Sequence, residues 1–334
     1  MSIKQIFIIH ILIFSVSVLV HAEEKPRHVK TQEFDEMMKE VSNKGRWGSD
    51  DEMGTMNLID KTCRVDAARL VTEGVSVSLA LDLNTVLSEL NTIPFKHRRF
   101  SDVWKGHEVA GDELVLSYHG FSHSHIDGLL HFAYKGEYYN GFKYQDMVST
   151  NERNAPGEFT KLGIQNYHAG IVTRGLLVDI PWLYEKPYME PGMAVTSKDL
   201  EAWEKKTGIT IGKGDILLIR TGRWERFLKK GPWNFLAVAA GCHCELALWL
   251  KKRDVAALGS DGVNDVMPSN VQGMVNPLHT LLIAGMGMPL FDNLNLEDLS
   301  KTARNLQRWE FMFNCHPLRI VGGTGSPANP IAIF

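Results

Sequence analysis

Between residues 119 and 131 the chain reads His119-Gly-Phe-Ser-His123-Ser-His125-Ile-Asp127-Gly-Leu-Leu-His131, and this run holds four of its 13 histidines. Imidazole and carboxylate are the side chains that bind divalent metals and move protons near neutral pH. Burying so many polar rings costs free energy unless each finds a partner, and one shared ion would satisfy several together. The alternative is a polar surface strand. In an extended segment odd-numbered residues share one face, and His119, His123, His125, Asp127 and His131 are all odd. A straight strand would still leave the outer two roughly 40 Å apart, at about 3.3 Å per residue. The chain must therefore turn, and Gly120 and Gly128 are natural turning points. His125 and Asp127, two apart, are best placed to grip one ion. His131, four beyond the aspartate, could reach back as an acid–base group.

The elements that must position these residues alternate between strand and helix signals, which predicts one α/β or α+β domain. Val75–Leu81 alternates at period two, a half-buried strand, and Leu114–Tyr118 is expected to lead as a strand into the histidine run. Ile171–Thr173 and Gly175–Ile180 form two further apolar runs, the second ended by Pro181. Gly214–Arg220 has the shape of a buried strand after a turn, and Val255–Asp261 repeats it with an acid at its end. Helices are predicted over Ser197–Lys206, Glu245–Lys252 and Leu296–Arg304. The tail from Gly322 to Pro330 is rich in turn formers, so its backbone should approach another segment closely.

Of the 334 residues 44% are hydrophobic and 22% charged, enough apolar material for a sizeable core. The net charge of −3 and the absence of any basic run exclude an electrostatic case for nucleic acid. A small-molecule substrate is the default. At the N-terminus Lys4 precedes an apolar run, Ile6 to Val20, followed by Val20-His21-Ala22 and a charged stretch. That pattern reads as a signal peptide over residues 1–22, leaving 23–334 as a single exported domain, secreted or periplasmic. The run is short for a membrane span. Cys63, Cys242, Cys244 and Cys315 read as structural, a Cys63–Cys315 bridge being one option. Cys242-His243-Cys244 lacks the second Cys/His pair of a zinc finger.

The histidine run resembles the signature of the cyclase family, the group that contains bacterial kynurenine formamidase and isatin hydrolase. Its motif is H-x-G-T-H-x-D-x-P-x-H, with metal on the first two histidines and the aspartate and the last histidine in catalysis. Aligned on Asp127, the matches are His125, Asp127 and His131, with Ser124 standing for Thr. Phe121 replaces the first His, His123 the Gly and Leu129 the Pro. A longer branch of the family has His-Gly about eight residues before the aspartate and Tyr-Asn-Gly after the last histidine; His119-Gly120 and Tyr139-Asn140-Gly141 resemble it. Either His119 or His123 would then complete the site. Further resemblances are Arg46–Ile59, Arg174–Asp179, Gly214–Gly222 and Pro317–Pro327, so the likeness spans nearly the whole mature chain.

The resemblance implies the family's swivelling β/β/α fold, assembled as a homo-oligomer (dimer or tetramer). It also implies that His279 and Asp292 help to hold a metal; the other reading is a capped helix with a buried, backbone-bonded histidine. It places a substrate-facing residue at His243, which could instead serve as a cap, and it leaves Asp261 as either an orienting or a plain turn aspartate. A divalent ion, zinc or manganese, held by two or three such groups keeps a position open for water. The expected reaction is hydrolysis of a small amide, lactam or ester, with His131 as acid–base group. Two alternatives stand beside it: a cyclase or dehydratase using the same site, and a non-catalytic exported binder that keeps the fold.

Overall fold

The computed structural model describes residues 26–147 and 161–334; the apolar run expected to be a signal peptide lies outside them. Its strands in chain order are β1 (Ser76–Ser78), β2 (Lys96–Trp104), β3 (His107–Val115), β4 (His125–Asp127) and β5 (Ile171–Asp179). There follow the two-residue β6 (Ala194–Val195), β7 (Ile216–Arg220) and the two-residue β8 (Gly241–Cys242). The last five are β9 (Ala257–Ser260), β10 (Leu290–Asp292), β11 (Glu310–Cys315), β12 (Gly325–Pro327) and β13 (Ile331–Ile333).

Nine of these strands make one sheet in the order β1-β13-β11-β5-β7-β9-β10-β4-β12. β5, β7, β9 and β10 run parallel to one another. Parallel strands covered on both faces must be apolar throughout, and Ile216–Arg220 and Ala257–Ser260 are buried at every position. The two apolar runs expected at residues 171–180 are one continuous strand, β5. Phe311 and Phe313 of β11 fill the space beside its Gly175, where a Cβ would come within 2.3 Å of the Phe311 ring.

Helices cover the sheet. Lys61–Arg69 packs on β5 and β11, and Glu297–Leu306 on β5 and β1. Thr31–Val41 lies against both Leu246–Arg253 and a turn of π-helix, Thr280–Met286. Helix Ser197–Thr207 starts where predicted, with Thr196 as its cap, whose hydroxyl and amide share the Asp199 carboxylate in a capping box. All four cysteines are free thiols, so the Cys63–Cys315 bridge is not formed. Among the described residues no helix is long and apolar enough to cross a membrane.

Two features bear on the site. First, charged residues gather at the carboxyl ends of the parallel strands, the usual place for a binding crevice in such sheets. Asp179 ends β5, Arg220 ends β7, Asp261 follows β9 and Asp292 ends β10. Second, the strand expected over Leu114–Tyr118 stops at Val115, because it belongs to a hairpin. β2 and β3 pair over nine residues each around the turn Lys105-Gly106, where both residues have positive φ (50° and 80°). Two central residues of that conformation match the twist of flanking strands. The hairpin is exposed along both strands, Gly111 alone being half-buried beneath the Phe100 ring.

Candidate metal centre

The short strand β4 carries His125 and Asp127 between two antiparallel neighbours. Across from them in β10, Asp292 faces His125 and Leu290 faces Asp127; in β12, Gly325 faces Asp127. Gly325 has to be glycine, since a Cβ there would lie 2.3 Å from the Ile126 carbonyl and 3.0 Å from the His119 ring. This is the close backbone approach expected of the tail. The bend between His119 and β4 begins at Gly120, whose φ of 132° disfavours any side chain.

Asp127, buried, is the point on which the other groups converge. His119 Nδ1 is 2.8 Å and His125 Nε2 3.3 Å from its Oδ1. His131 Nε2 stands 3.8 Å from the same oxygen, and His279 Nε2 is 3.5 Å from Oδ2. His279 Nε2 is also 3.4 Å from Asp292 Oδ2. The His131 ring lies flat on His119, with centroids 3.8 Å apart and planes 4° from parallel. Of the expected residues, His119, His125, Asp127, His131, His279 and Asp292 are thus brought together.

The outer nitrogens decide what the inner ones offer. His125 Nδ1 donates to the His123 carbonyl at 2.8 Å, and His279 Nδ1 donates to Asp265 at 2.5 Å. His119 Nε2 meets the Thr324 hydroxyl at 2.8 Å. The His123 carbonyl and the Asp265 carboxylate, which can only accept, put the proton of His125 and His279 on Nδ1 and turn the inner Nε2 lone pair toward carboxylate oxygens. The Thr324 hydroxyl, which can donate or accept, admits either tautomer of His119. Lone pairs facing lone pairs repel unless a proton or a cation lies between them. His119 Nδ1 and Asp127 Oδ1 are both buried without an aligned hydrogen bond despite their proximity.

The spacing suits an ion. Four donors at about 2.1 Å around a tetrahedral centre lie about 3.4 Å from one another, and three of the contacts above measure 3.3, 3.4 and 3.5 Å. Two triads, His119–Asp127–His131 and His125–Asp127–Asp292, each bring one donor atom per residue within 4.8 Å, with Asp127 common to both.

Electrostatics follow from that crowding. Burial would raise Asp127, but His125, His131 and His119 hold it well below the carboxylate range. Burial would lower His279, but Asp292, Asp127 and Asp265 raise it well above the usual value. His131 goes the other way: burial, seconded by the neighbouring histidines, pushes it down to about 4 against the pull of Asp127. It is neutral at pH 7, and its side chain is still 25% exposed.

Two expected residues stand apart. His123 is buried with an unpartnered Nε2, and its contribution to the centre is its carbonyl, which accepts from His125 and Asn293. His243 contacts the Arg27 carbonyl and Glu245, pinning the N-terminal segment. These contacts match the structural alternative expected for His243. Asp261 likewise takes a plain structural task, accepting from the backbone of Thr221, Gly222 and Arg223 at the start of helix Arg223–Lys230.

Three residues of the outer layer carry no clear sequence signal. Asp265 takes the backbone amides of Leu278 and His279 as well as the imidazole. Asn293 donates to the carbonyls of Gly120 and His123. Arg223, buried, reaches Asn293 at 2.6 Å and the Phe121 carbonyl at 2.8 Å. Together Asn293 and Arg223 clamp the loop that delivers His119, while the Phe121 ring packs edge-on against Phe235.

The chain is thus an α/β fold whose sheet carries a His/Asp cluster able to hold a metal ion, and known proteins share that fold. A family model, Cyclase, matches residues 81–264, and the chain belongs to the Cyclase family. The crystal structure of a novel cyclase superposes with a TM-score of 0.78 at 27% identity, covering 89% of this chain and 99% of its own. An isatin hydrolase bound to the product analogue thioisatinate gives 0.53 at 19% identity, covering 78% and 92%. Isatin hydrolase A from Ralstonia solanacearum gives 0.52 at 20%, covering 77% and 91%. The two isatin hydrolases share the fold. No curated protein matches the sequence.

Proposed function

We propose that this chain is a metal-dependent hydrolase of a small amide, lactam or ester. The observation that carries the reading is the set of inner imidazole nitrogens facing the Asp127 and Asp292 carboxylates at 3.3–3.5 Å. His119, His125, Asp127, His279 and Asp292 would hold a divalent ion, zinc or manganese. A bound ion supplies Lewis acidity, polarising a carbonyl and acidifying water. The likeness to isatin hydrolases, whose name points to a cyclic amide, favours a lactam among the candidates.

The chain's own residues divide the remaining work. Asp265 and the His123 carbonyl fix the tautomers of His279 and His125, and Thr324 orients the His119 ring. His131, neutral and partly exposed, is free to accept a proton at Nε2 and return it to the leaving group. Its stacking on His119 fixes the direction of that transfer.

The test is a metal assay joined to a screen of small amides and lactams. His131→Ala should retain the metal and lose turnover by about 10²–10⁴-fold, in kcat more than in KM. Metal lost together with activity would make His131 a ligand. A wild-type protein that binds metal but turns over no member of the screen would favour the exported binder.

A further inference from the structure

We propose that Arg226 anchors an anion site, separate from the metal centre, that takes the carboxylate of a small organic acid with a flat apolar body. The site rests on the arginine and its surroundings, and it stands whether or not the metal-centre reading holds.

Helix Arg223–Lys230 ends at Gly231, whose φ of 79° and amide bond to the Phe227 carbonyl close the last turn. Pro232 follows, and the chain turns back to lay the Trp233 ring 4.3 Å from the Arg226 guanidinium. Trp233 is itself held in place. Its Nε1 donates to the Val238 carbonyl at 2.9 Å, and its ring meets Phe235 edge-on with centroids 5.6 Å apart. Phe235 in turn carries the Arg223 guanidinium at 3.8 Å. Residues three apart share a helix face. Both arginines are therefore directed at one small apolar cluster, built on Phe235 with Trp233 and Phe121 against it and separate from the main core.

Arg226 is the orphan of the pair. Its Nε and Nη1 are buried and make no hydrogen bond among the described residues, although the side chain as a whole is 17% exposed. The carboxylate that pairs with it, Glu190, stands 3.8 Å from Nε, beyond hydrogen-bond reach, on a side chain that is 62% exposed. Arg223 brings a second charge and no relief. Its side chain bonds only neutral oxygens, those of the Asn293 amide and the Phe121 and Asp261 carbonyls. The Asp261 carboxylate is taken up by the Thr221 hydroxyl and the backbone amides of Thr221, Gly222 and Arg223. Burial accordingly pushes Arg223 down to about 9 against the pull of Asp261 and Asp292. An arginine lying on tryptophan as a solvated arm would keep its N–H groups in water. Hiding two of them without an acceptor is costly, and a site built for an anion accounts for it.

The surroundings select the ligand. A guanidinium presents coplanar donors that match the two oxygens of a carboxylate. The Trp233 and Phe235 rings give a flat apolar body a surface to lie on. They offer a strongly hydrated inorganic anion nothing in exchange for its water. Arg223, one helical turn nearer the centre, bonds the Phe121 carbonyl between His119 and His123, so it forms a wall common to both sites. The carboxylate therefore belongs either to the molecule that reacts at the centre or to an effector bound beside it, and the two are separable by experiment.

Calorimetry on the metal-loaded full chain should show benzoate binding more tightly than benzamide, its uncharged isostere, and more tightly than inorganic phosphate. Arg226→Gln should weaken benzoate by about tenfold or more, and Arg226→Lys, which keeps the charge but not the planar fork, should fall between. Glu190→Gln removes a competing carboxylate at an exposed position and should tighten benzoate several-fold, a gain that misfolding cannot produce. Benzoate bound by Arg226→Gln as well as by wild type, or by wild type no better than benzamide, would overturn the site. So would unchanged or weaker binding by Glu190→Gln. Binding that Arg226→Gln keeps and His125→Ala loses would put the anion on the metal instead, and equal affinity for phosphate would overturn the organic-acid class. With any amide of the screen that turns over, benzoate that raises KM alone would assign the carboxylate to the reacting molecule. Benzoate that changes kcat alone would assign it to an effector.

Discussion

Asp265→Asn tests whether the outer hydrogen bonds set what the inner nitrogens can bind. Asp265 is buried and accepts three bonds: from Leu278 N at 2.7 Å, His279 N at 3.2 Å and His279 Nδ1 at 2.5 Å. Asparagine has nearly the same shape but replaces one acceptor by an NH2 donor. If that donor faces His279, it meets two N–H groups. The imidazole can answer only by moving its proton to Nε2, the atom that faces Asp127 and Asp292. If it turns the other way, it opposes the Leu278 amide. Either arrangement leaves a buried donor unmet or blocks the inner lone pair. Loss of such an outer partner typically weakens metal binding about 10–100-fold, or roughly 1.4–2.8 kcal/mol. The assay is competition against a chromophoric chelator in mildly alkaline buffer, where protons compete least for His279. A dissociation constant within about threefold of wild type, in a variant that melts normally, would refute the tautomer argument.

Two further perturbations separate the centre from the scaffold. His125→Ala should abolish most bound metal, since losing one donor also frees the others' orientation; unchanged stoichiometry and affinity in metal analysis would count against the assignment. Asp179 accepts from Arg220 and Arg304, both at 2.9 Å, and from Ser300 and the Trp182 amide. Burial alone would raise its carboxyl, but Arg220, Ser300 and Arg304 hold it below the usual range. A carboxylate lowered by folding stabilises fully above its unfolded pKa of about 3.9, and that stabilisation fades as the pH falls through the folded value. Asp179→Asn should therefore cost about 3 kcal/mol in urea unfolding at neutral pH, since Arg220 keeps Glu297. The gap from wild type should shrink below about pH 4; a gap independent of pH would be the contrary result.

Much of this was legible in the chain. The strands β7 and β9 announced themselves because burial on both faces demands unbroken apolar runs, and residues 216–219 and 257–258 supply them. The family motif identified His125, Asp127 and His131 by residue type alone. What periodicity could not say is which first histidine meets Asp127. That choice depends on a bend at Gly120 and on Thr324, some 200 residues away, which only the pairing of β12 with β4 brings close. Asp265 was hidden for another reason: its partner His279 is only 14 residues on, but an aspartate in a Gly-Val-Asn-Asp turn looks ordinary. The hairpin did leave a local trace, Lys105-Gly106 between two runs of mixed residues. Charges on both faces masked the alternation that normally marks a half-buried strand.

The ligands' seat on β4 has a consequence for how this scaffold can diversify. Because β4 is laced on both edges to β10 and β12, the spacing of His125, Asp127 and Asp292 is a property of the ladder, not of any loop. The segments that rim the centre, residues 82–95 and 317–323, are not part of that ladder. Mutation can reshape them, lengthening one or exchanging its apolar residues, without disturbing the spacing of His125, Asp127 and Asp292. Such a protein is free to change what it recognises while keeping the reaction it performs, so its lineage should drift in substrate faster than in chemistry.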